Sequence, residues 1–282
     1  MMRIAISGAS GFVGSYLQHY FQNKGYKVIG IQRSILSDEK GLEKIISEVD
    51  VIINLAGANI IQRWTTKYKK LMYDSRIDTT KALVKAINTN KKEQLFISTS
   101  AIGIYANDTL CDEEQYSYGN GFLAHLCQDW EHEAKKVQKR MAIFRFSIIM
   151  GDGGALKKML LPFKLGLGGK IGSGEQPFSY IHIKDLARVY ELLIKQQSLE
   201  GIFNLSSPNP STNGEFSSVL ARKLHRPSFF LVPAFILKLI FGEGAQVLLN
   251  GQCIYPKRLL ENGFNFNFPT VESVLDDLIL KK

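Results

Sequence analysis

The chain carries a glycine-rich segment, Gly8–Gly14, directly after the apolar run Ile4–Ile6 and directly before the helix-like run Ser15–Phe21. This order predicts a strand, a tight turn and a helix at the start of the chain. Such a turn directs free backbone N–H groups and the positive end of a helix to one point, where a pyrophosphate can approach closely. The spacing is G-x-x-G-x-x-G rather than G-x-G-x-x-G, so the strand-to-helix context carries the prediction of a dinucleotide site. A plain tight turn, with Gly11 and Gly14 allowing close helix packing, is the alternative.

Apolar runs typical of strands recur along the chain and are separated by helix-compatible segments. The strands are expected at Ile4–Ser7, Val28–Ile31, Val51–Leu55, Leu95–Ser98 and Ile143–Phe146, and the helices near Phe12–Asn23, Gly41–Ser47, Thr65–Ile87 and Phe122–Lys139. This alternation predicts an α/β fold with a doubly wound parallel sheet of the Rossmann type.

Residues 1–150 are predicted to form the nucleotide-binding domain. The texture of the sequence changes after Met150, where glycines cluster at Gly151–Gly154, and prolines recur in the last eighty residues. Residues 151–282 are therefore predicted to form a smaller, partly interwoven substrate lobe, with a small C-terminal domain from about residue 205. Within it, Asp185 is expected to cap a helix that runs to about Gln196.

Composition limits the classes of function. The chain of 282 residues is 45% hydrophobic and lacks an uninterrupted apolar run long enough to span a bilayer, and no signal peptide is evident at its start, so a cytoplasmic protein without a membrane partner is expected. The formal net charge is +9, but the basic residues are spread along the chain and no nucleic-acid-binding motif occurs. A small anionic ligand explains the charge as well as a nucleic acid would.

The cysteines and histidines predict no metal site. Cys111, Cys127 and Cys253 are odd in number and widely spaced, so we expect them to be reduced and structural. The histidines have no convergent partners at metal-ligand spacing.

The ends of the predicted strands are the places where a doubly wound sheet binds its ligand. Arg33 follows the second strand, where an acidic residue would accept the ribose hydroxyls of NAD; its guanidinium instead suits a 2′-phosphate and favours NADP(H) over NAD(H), with a plain surface arginine as the alternative. The cofactor-binding set predicted here is Gly8, Ser10, Gly11, Phe12, Val13, Gly14, Arg33, Leu55, Ala56, Gly57 and Ser98.

Several segments together resemble one family. The Gly8–Gly14 loop, the strand end Asn54–Gly57 and the segments Ser98–Tyr105 and Phe178–Asp185 are similar to those of extended short-chain dehydrogenase/reductases, the NAD(P)-dependent epimerase/dehydratase superfamily. The resemblance is closest to an atypical, sugar-nucleotide epimerase-like branch and covers nearly the whole chain. The segments that carry this closer match are Arg63–Thr65, Ser75–Arg76, Phe122–Ala124, Cys127–Glu131, Gly151–Leu156, Gly172–Gly174 with Gln176, and Pro256–Leu259 with Gly263–Phe264.

The resemblance implies a Tyr-x-x-x-Lys pair in which lysine lowers the pKa of the tyrosine for proton transfer. Counted back from Glu131, that pair falls on Leu123 and Cys127, which cannot do this chemistry. The same spacing occurs at Tyr20 with Lys24, where we take it as accidental, and at Tyr180 with Lys184, where the family offers no precedent.

Ser100 and Tyr105 are the predicted catalytic substitutes, because they follow the fourth strand and hydroxyls there would meet a substrate carbonyl or alcohol. The alternative for Tyr105 is a pocket wall that forms hydrogen bonds locally. A substrate-binding role is predicted for Arg63, Trp64, Gln176, Tyr180 and His182; helix-entry packing is the alternative for Trp64 and a structural imidazole for His182.

Three functions follow as hypotheses. The first is an atypical NADP(H)-dependent oxidoreductase that acts on a small carbonyl or alcohol. The second is a nucleotide-sugar epimerase, which the family label implies and the missing Tyr and Lys pair opposes. The third is a non-catalytic NADPH sensor or scaffold. The resemblance also implies a possible homodimer through the helices at Thr65–Ile87 and Phe122–Lys139.

Overall fold

A computed structural model describes residues 1–107 and 109–280. Its strands are β1 (Arg3–Ser7), β2 (Lys27–Ile31), β3 (Val51–Asn54), β4 (Leu95–Ala101), β5 (Leu110–Cys111), β6 (Arg140–Phe146), β7 (Ile148–Met150), β8 (Gly169–Ile171), β9 (Pro177–Phe178), β10 (Tyr180–His182), β11 (Gly201–Leu205), β12 (Ser211–Thr212), β13 (Phe230–Val232) and β14 (Cys253–Ile254).

The α-helices are α1 (Phe12–Asn23), α2 (Arg33–Leu36), α3 (Glu39–Glu48), α4 (Thr66–Thr89), α5 (Phe122–Ala134), α6 (Gly154–Lys164), α7 (Ile183–Lys195), α8 (Asn213–Lys223), α9 (Ala234–Phe241), α10 (Gln246–Leu249), α11 (Lys257–Glu261) and α12 (Val271–Leu275). Short 3₁₀ turns lie at Ile102–Ile104 and Gly242–Ala245, and a π-helical turn at Asp276–Leu280 follows α12.

Six parallel strands form the central sheet in the order β2-β1-β3-β4-β6-β11. The chain moves outward from β1 to β2 and then returns to the other side of β1 at β3, so the strand order reverses between β1 and β3. The predicted α/β class and doubly wound parallel sheet are confirmed, and the five predicted strands belong to this sheet.

Both faces of the sheet are covered by helices, which explains why its strands are apolar on both sides. On one face, α1 and α7 pack through residues such as Leu17, Phe21 and Leu186. On the other, α3, α4 and α5 contribute residues such as Ile46 and Leu83. The helices cover the faces of the sheet, so a ligand would approach it at the carboxyl ends of the strands.

The sixth strand, β11, lies beyond the predicted boundary at residue 150. It pairs in parallel with β6 from Gly201 to Leu205, and the preceding α7 covers the sheet. A separate hydrophobic core joins α6, α8 and α12 in the later part of the chain. Segments of the sheet and of this second core therefore alternate along the chain. The domain boundary at residue 150 stays a prediction.

The start of α7 differs from its prediction. The N-cap is His182, whose Nδ1 accepts a hydrogen bond from the backbone N–H of Lys184 at 3.0 Å. Asp185 is buried in the first turn, where its carboxylate accepts from the backbone N–H groups of Asn267 and Phe268 at 3.0 and 2.9 Å. The prediction that Asp185 caps this helix was therefore wrong, because its carboxylate binds the backbone of the distant segment Asn267–Phe268.

No helix within residues 1–107 and 109–280 is long and apolar enough to cross a membrane. The three cysteines are free thiols, and Cys111 and Cys127 are buried. Among these described residues, no cluster of His, Cys, Asp and Glu side chains is arranged to hold a metal ion.

Candidate functional site

The glycine loop lies at the reversal of strand order and is tightly packed against its neighbours. Gly8 has φ +71°, and a Cβ there would lie 2.8 Å from the carbonyl oxygen of Leu55. A Cβ at Gly14 would lie 2.3 Å from the carbonyl oxygen of Gly8. These distances are shorter than van der Waals contact, so the turn requires glycine at both positions.

The start of α1 leaves backbone donors for a ligand. Gly11 is the N-cap and supplies no capping side chain, and the first turn contains no acidic residue. The N–H groups of the first turn and the helix dipole therefore point at the exposed loop around Ser10, which is a favourable place for an anion. Phe12 and Val13 are half-buried, and the Phe12 ring lies so close to Gly153 that a Cβ there would clash at 2.6 Å.

The predicted residues at the ends of β2, β3 and β4 lie along the same edge. Arg33 is exposed at the start of α2, one residue beyond the N-cap Gln32, and β2 is paired with β1 up to Ile31. Leu55, Ala56 and Gly57 follow β3, which is the other neighbour of β1. We call Gly8–Gly14, Arg33 and Leu55–Gly57 the nucleotide edge.

A hydrogen-bond chain fixes the β3 end of this edge. The Ser7 hydroxyl donates to Asn54 Oδ1 at 2.7 Å, and Asn54 Nδ2 donates to Thr80 Oγ1 of α4 at 2.9 Å. Trp130 of α5 also donates to Thr80 Oγ1, at 2.8 Å. Ser98 stands in register with Asn54, and its buried hydroxyl has no partner among residues 1–107 and 109–280. Ser98 lies two strands from β1, and a ligand at this edge could satisfy its unpaired hydroxyl.

Tyr105 lies in a buried network rather than at an open surface. Its hydroxyl donates to Asn204 Oδ1 and accepts from Arg145 Nη1, both at 2.7 Å. The Arg145 guanidinium also forms a bidentate pair with Glu131, at 2.7 and 2.8 Å. Burial raises the pKa of Tyr105, which is opposite to the change that a proton acceptor needs. We call these four residues the buried network, and its geometry favours the local hydrogen-bonding role of Tyr105.

Ser100 lies beside this network and contacts Cys127, which occupies the position where the family resemblance predicts a lysine. The thiol of Cys127 on α5 interacts with the Ser100 hydroxyl and the Ala101 backbone, and burial raises its pKa to about 11. Leu123, one turn earlier, is half-buried and packs near Gly103, where an added Cβ would lie 3.6 Å from its side chain. Neither residue supplies a proton or a fixed charge, as the sequence predicts.

The two other Tyr-x-x-x-Lys spacings also have structural explanations. The hydroxyl of Tyr20 and the ammonium of Lys24 both bind the Glu191 carboxylate of α7, which joins the two helices. The buried hydroxyl of Tyr180 donates to the Asn209 carbonyl, whereas Lys184 pairs with Asp277 at the surface. Tyr180 therefore forms no pair with Lys184 and is enclosed in the second core.

His182 is fully enclosed. Its Nε2 lies 3.2 Å from a carboxylate oxygen of Asp277, its Nδ1 caps α7, and its ring stacks on Phe268 with 3.9 Å between centroids. Burial lowers the pKa of His182 to about 4, although Asp277 opposes this shift. The neutral imidazole with Nδ1 as an acceptor satisfies these contacts, so the geometry favours the structural alternative for His182.

A cavity of about 680 Å³ lies between the loop after β8 and the helices α9 and α10. Gln176 lines it and donates to the carbonyls of Ile171 and Leu248. Gly121, the N-cap of α5, lies near the lining residue Gln246, because an added Cβ at Gly121 would lie 3.8 Å from Gln246 Oε1. Other polar lining residues are Ser173, Lys238, Glu243 and Asn250.

Arg63 and Trp64 contact residues adjacent to the lining of this cavity. Arg63 donates to the Leu239 carbonyl of α9 at 3.0 Å, and Trp64 is buried, with its indole N–H donating to the Ile60 carbonyl at 2.9 Å. A Cβ at Gly244 would lie 2.9 Å from the Trp64 ring. Of the predicted substrate residues, the structure brings Gln176, Arg63 and Trp64 to one region and places Tyr180 and His182 in packed interior positions.

Sequence reasoning missed Tyr116. Its ring packs edge-to-face on Tyr105 with 5.2 Å between centroids, and its hydroxyl lies 3.3 Å from that of Tyr118. Although burial opposes the change, the Tyr118 hydroxyl and Arg145 lower the pKa of Tyr116. Tyr116 is half-buried, so its hydroxyl is less enclosed than that of Tyr105. No motif marks this tyrosine, because it depends on an arginine distant in sequence.

Comparison with known proteins identifies the family. The model of the NAD dependent epimerase/dehydratase family matches residues 4–206, and a domain of unknown function, DUF1731, matches residues 232–278. The chain belongs to the NAD dependent epimerase/dehydratase family. The predicted resemblance is thereby confirmed, and the match extends from the glycine loop through β11.

Relatives match over almost their whole length. The mouse protein called epimerase family protein SDR39U1 is 35% identical over 99% of this chain and 100% of its own, and YfhF of Bacillus subtilis is 33% identical over 99% and 98%. The structure of human SDR39U1 with NADPH superposes with a TM-score of 0.92 at 30% identity and covers 100% of both chains. A nucleoside-diphosphate sugar epimerase from Corynebacterium glutamicum gives a TM-score of 0.79 at 26% identity, with 99% of this chain and 58% of that chain covered.

Proposed function

We propose that this protein binds NADP(H) at the nucleotide edge and transfers hydride between the nicotinamide and a small carbonyl or alcohol. The observation that carries the binding proposal is the glycine loop at the strand-order reversal, where Gly8 and Gly14 admit no Cβ and the first turn of α1 lacks a cap. The similarity to human SDR39U1, whose structure was determined with NADPH, supports the same assignment.

The preference for NADP(H) rests on Arg33. Its exposed guanidinium follows the strand adjacent to β1, where the ribose of the adenosine half of a dinucleotide is expected. A guanidinium there donates two hydrogen bonds to a 2′-phosphate, whereas NAD(H) offers only neutral hydroxyls. We expect binding of NADPH to be at least about tenfold tighter than binding of NADH.

Fluorescence titration with NADPH and NADH tests this binding. Arg33→Glu is expected to weaken NADPH binding at least about tenfold and to leave NADH binding nearly unchanged. Lys27→Glu is the matched control, since Lys27 is exposed at the opposite end of the same strand and undergoes the same change of charge. A protein that binds neither nucleotide contradicts the cofactor proposal, and equal effects of the two substitutions contradict the role of Arg33.

For the chemical step, the bound nicotinamide would supply or accept the hydride, and the chain must supply the proton. We propose Tyr116 for this task, because it is half-buried and its pKa is lowered by Tyr118 and Arg145 against the effect of burial. The cavity between the loop after β8 and the helices α9 and α10 is the proposed substrate site, with Gln176 in its lining and Arg63 and Trp64 packed against neighbouring residues. Absorbance of NADPH with a panel of small aldehydes and ketones tests the reaction, and Tyr116→Phe should slow it.

A non-catalytic NADPH sensor is the second candidate, favoured by one observation. The positions that would carry tyrosine and lysine hold Leu123 and Cys127, and the predicted substitute Tyr105 is enclosed in the buried network. Tight NADPH binding without turnover of any carbonyl would favour this candidate. Epimerisation would require a base for a sugar hydroxyl at the same positions; NMR detection of epimers from UDP- or GDP-sugars tests it.

A further inference from the structure

Arg76 of α4 carries a half-buried positive charge without a carboxylate partner. Its guanidinium donates from Nη1 to the Met72 carbonyl and from Nη2 to the Ala58 carbonyl, both at 3.0 Å. Within the two described ranges, 1–107 and 109–280, no carboxylate lies within ion-pair distance of it. Burial lowers the pKa of Arg76, although an arginine remains protonated at neutral pH.

Removing a positive charge from water without pairing it with a carboxylate costs free energy, unless another electron-rich group lies close to it. Arg145, in contrast, is buried but paired with the Glu131 carboxylate. The Trp130 ring, 5.3 Å from Cζ of Arg76, and the two carbonyls provide partial compensation. The arrangement leaves part of the charge available for a ligand.

Gly57 is the exposed residue next to the Arg76 guanidinium. Gly57 is exposed, and an added Cβ would lie 2.9 Å from Cζ of Arg76. The guanidinium therefore fills the space that a side chain at position 57 would occupy, next to an exposed stretch of backbone. Gly57 follows β3 on the far side of the reversal from β2, so Arg33 and Arg76 lie on opposite sides of the glycine loop.

Arg76 is also within electrostatic range of Cys127. The positive charge of Arg76 lowers the pKa of the Cys127 thiol, although burial outweighs this effect. Cys127 stands where the resemblance places a lysine on α5. Arg76 of α4 therefore places a positive charge near the position where the resemblance predicts a lysine.

We infer that Arg76 positions the nicotinamide half of the bound dinucleotide, by donating to or attracting its ribose oxygens beside Gly57. The inference rests on the proposed function, in which Arg33 holds the adenosine half. It makes two residues of the chain interdependent, because a side chain at position 57 would displace the guanidinium. Arg76 acts here as a positioning residue and takes no part in bond making.

Two ligands separate this role from general damage to the fold. NADPH carries both halves of the dinucleotide, whereas adenosine 2′,5′-bisphosphate carries only the half assigned to Arg33. We expect Arg76→Met to weaken NADPH binding at least about tenfold and to change binding of the bisphosphate less than about twofold. Arg76→Lys should restore part of the NADPH affinity, since it keeps the charge but not the planar fork. Lys85→Met, an exposed change on the same helix, is the control.

Gly57→Ala provides a second variant, which keeps the positive charge of Arg76 but displaces its guanidinium, because the added Cβ would lie 2.9 Å from Cζ. Its methyl group should weaken NADPH binding and spare the bisphosphate, so it decides the question if Arg76→Met fails to fold in a thermal melt. Equal affinity of wild type and folded Arg76→Met for NADPH overturns the inference alone, as does equal loss of both ligands. Failure of the wild type to bind either ligand overturns the proposed function and, with it, the inference.

Discussion

The nucleotide edge and the buried network both lie at the carboxyl ends of neighbouring strands. They differ in whether their polar groups are paired with other groups of the protein. The edge leaves the first turn of α1 without a capping side chain and the Arg33 side chain exposed, and the buried hydroxyl of nearby Ser98 has no partner within residues 1–107 and 109–280. The network pairs Tyr105, Glu131, Arg145 and Asn204 with one another at 2.7 to 2.8 Å. The difference indicates that the first region is built to receive a ligand and the second to hold the strands and α5 together.

The largest expected effect comes from breaking the network. Glu131→Gln leaves the buried Arg145 charge without its carboxylate, so we expect the free energy of unfolding to fall by about 3–5 kcal/mol. NADPH affinity of the folded variant should stay within about twofold of wild type. Urea denaturation and NADPH titration measure the two quantities.

Glu133→Gln is the matched control for this change. Glu133 lies on the same helix and pairs with Lys136, whose side chain is half exposed, so its loss should cost less than about 1 kcal/mol. A Glu131→Gln protein as stable as this control would show that the network does not hold the fold.

The next effect concerns the packing of the edge. Gly14→Ala places a methyl group 2.3 Å from the Gly8 carbonyl oxygen, so the loop must move. We expect NADPH affinity to fall about a hundredfold, with a loss of stability of about 1–3 kcal/mol. Gly103→Ala is the control after β4, since its Cβ would meet Leu123 at an ordinary 3.6 Å. Similar NADPH affinities of the two variants would remove the contrast between the regions.

His182 extends the comparison to acid stability. Its pKa is lowered from 6.5 to about 4 by burial, so between these values the unfolded chain binds a proton that the folded protein does not. Stability from this site is complete above pH 6.5 and is lost as the pH falls toward 4, by about 3 kcal/mol.

His182→Asn keeps a capping acceptor and removes the titrating group. The loss of unfolding free energy between pH 6.5 and 4 should therefore be smaller in the variant than in wild type. Urea denaturation at a series of pH values measures it, and parallel pH dependences would contradict the interior assignment of His182.

The smallest expected effect separates the two tyrosines. Tyr105→Phe removes a hydroxyl with two internal partners and should cost about 1 kcal/mol of stability, while any NADPH-dependent turnover is retained. Tyr116→Phe should reduce turnover with a smaller change in stability. Loss of turnover in Tyr105→Phe at unchanged stability would move Tyr105 from the network to the catalytic site.

Local patterns were enough to predict the sheet and the glycine loop. Strand and helix periodicity and the requirement for glycine at Gly8 and Gly14 are properties of neighbouring residues, and the structure agrees with them closely. β11 was not predicted, because it is a short strand that gains its place only by pairing with β6.

Side-chain assignments that depend on distant partners could not be predicted in the same way. Tyr105 follows β4 as expected, but Arg145 and Asn204 decide where its hydroxyl points. Asp185 has the sequence of a helix cap and binds the backbone at Asn267 instead. Arg76 belongs to a segment that carries the family resemblance, but no role was predicted for it, since that role depends on its position beside Gly57 and on the lack of a nearby carboxylate within the described ranges.

The late position of β11 has a consequence for biosynthesis. Until residue 205 has left the ribosome, the nascent chain can pair β2, β1, β3, β4 and β6, but β6 remains an open edge strand. An open apolar edge is a template for association with other chains. A fragment that ends at residue 150 should therefore aggregate during expression, and one that extends through β11 should not suffer from this edge.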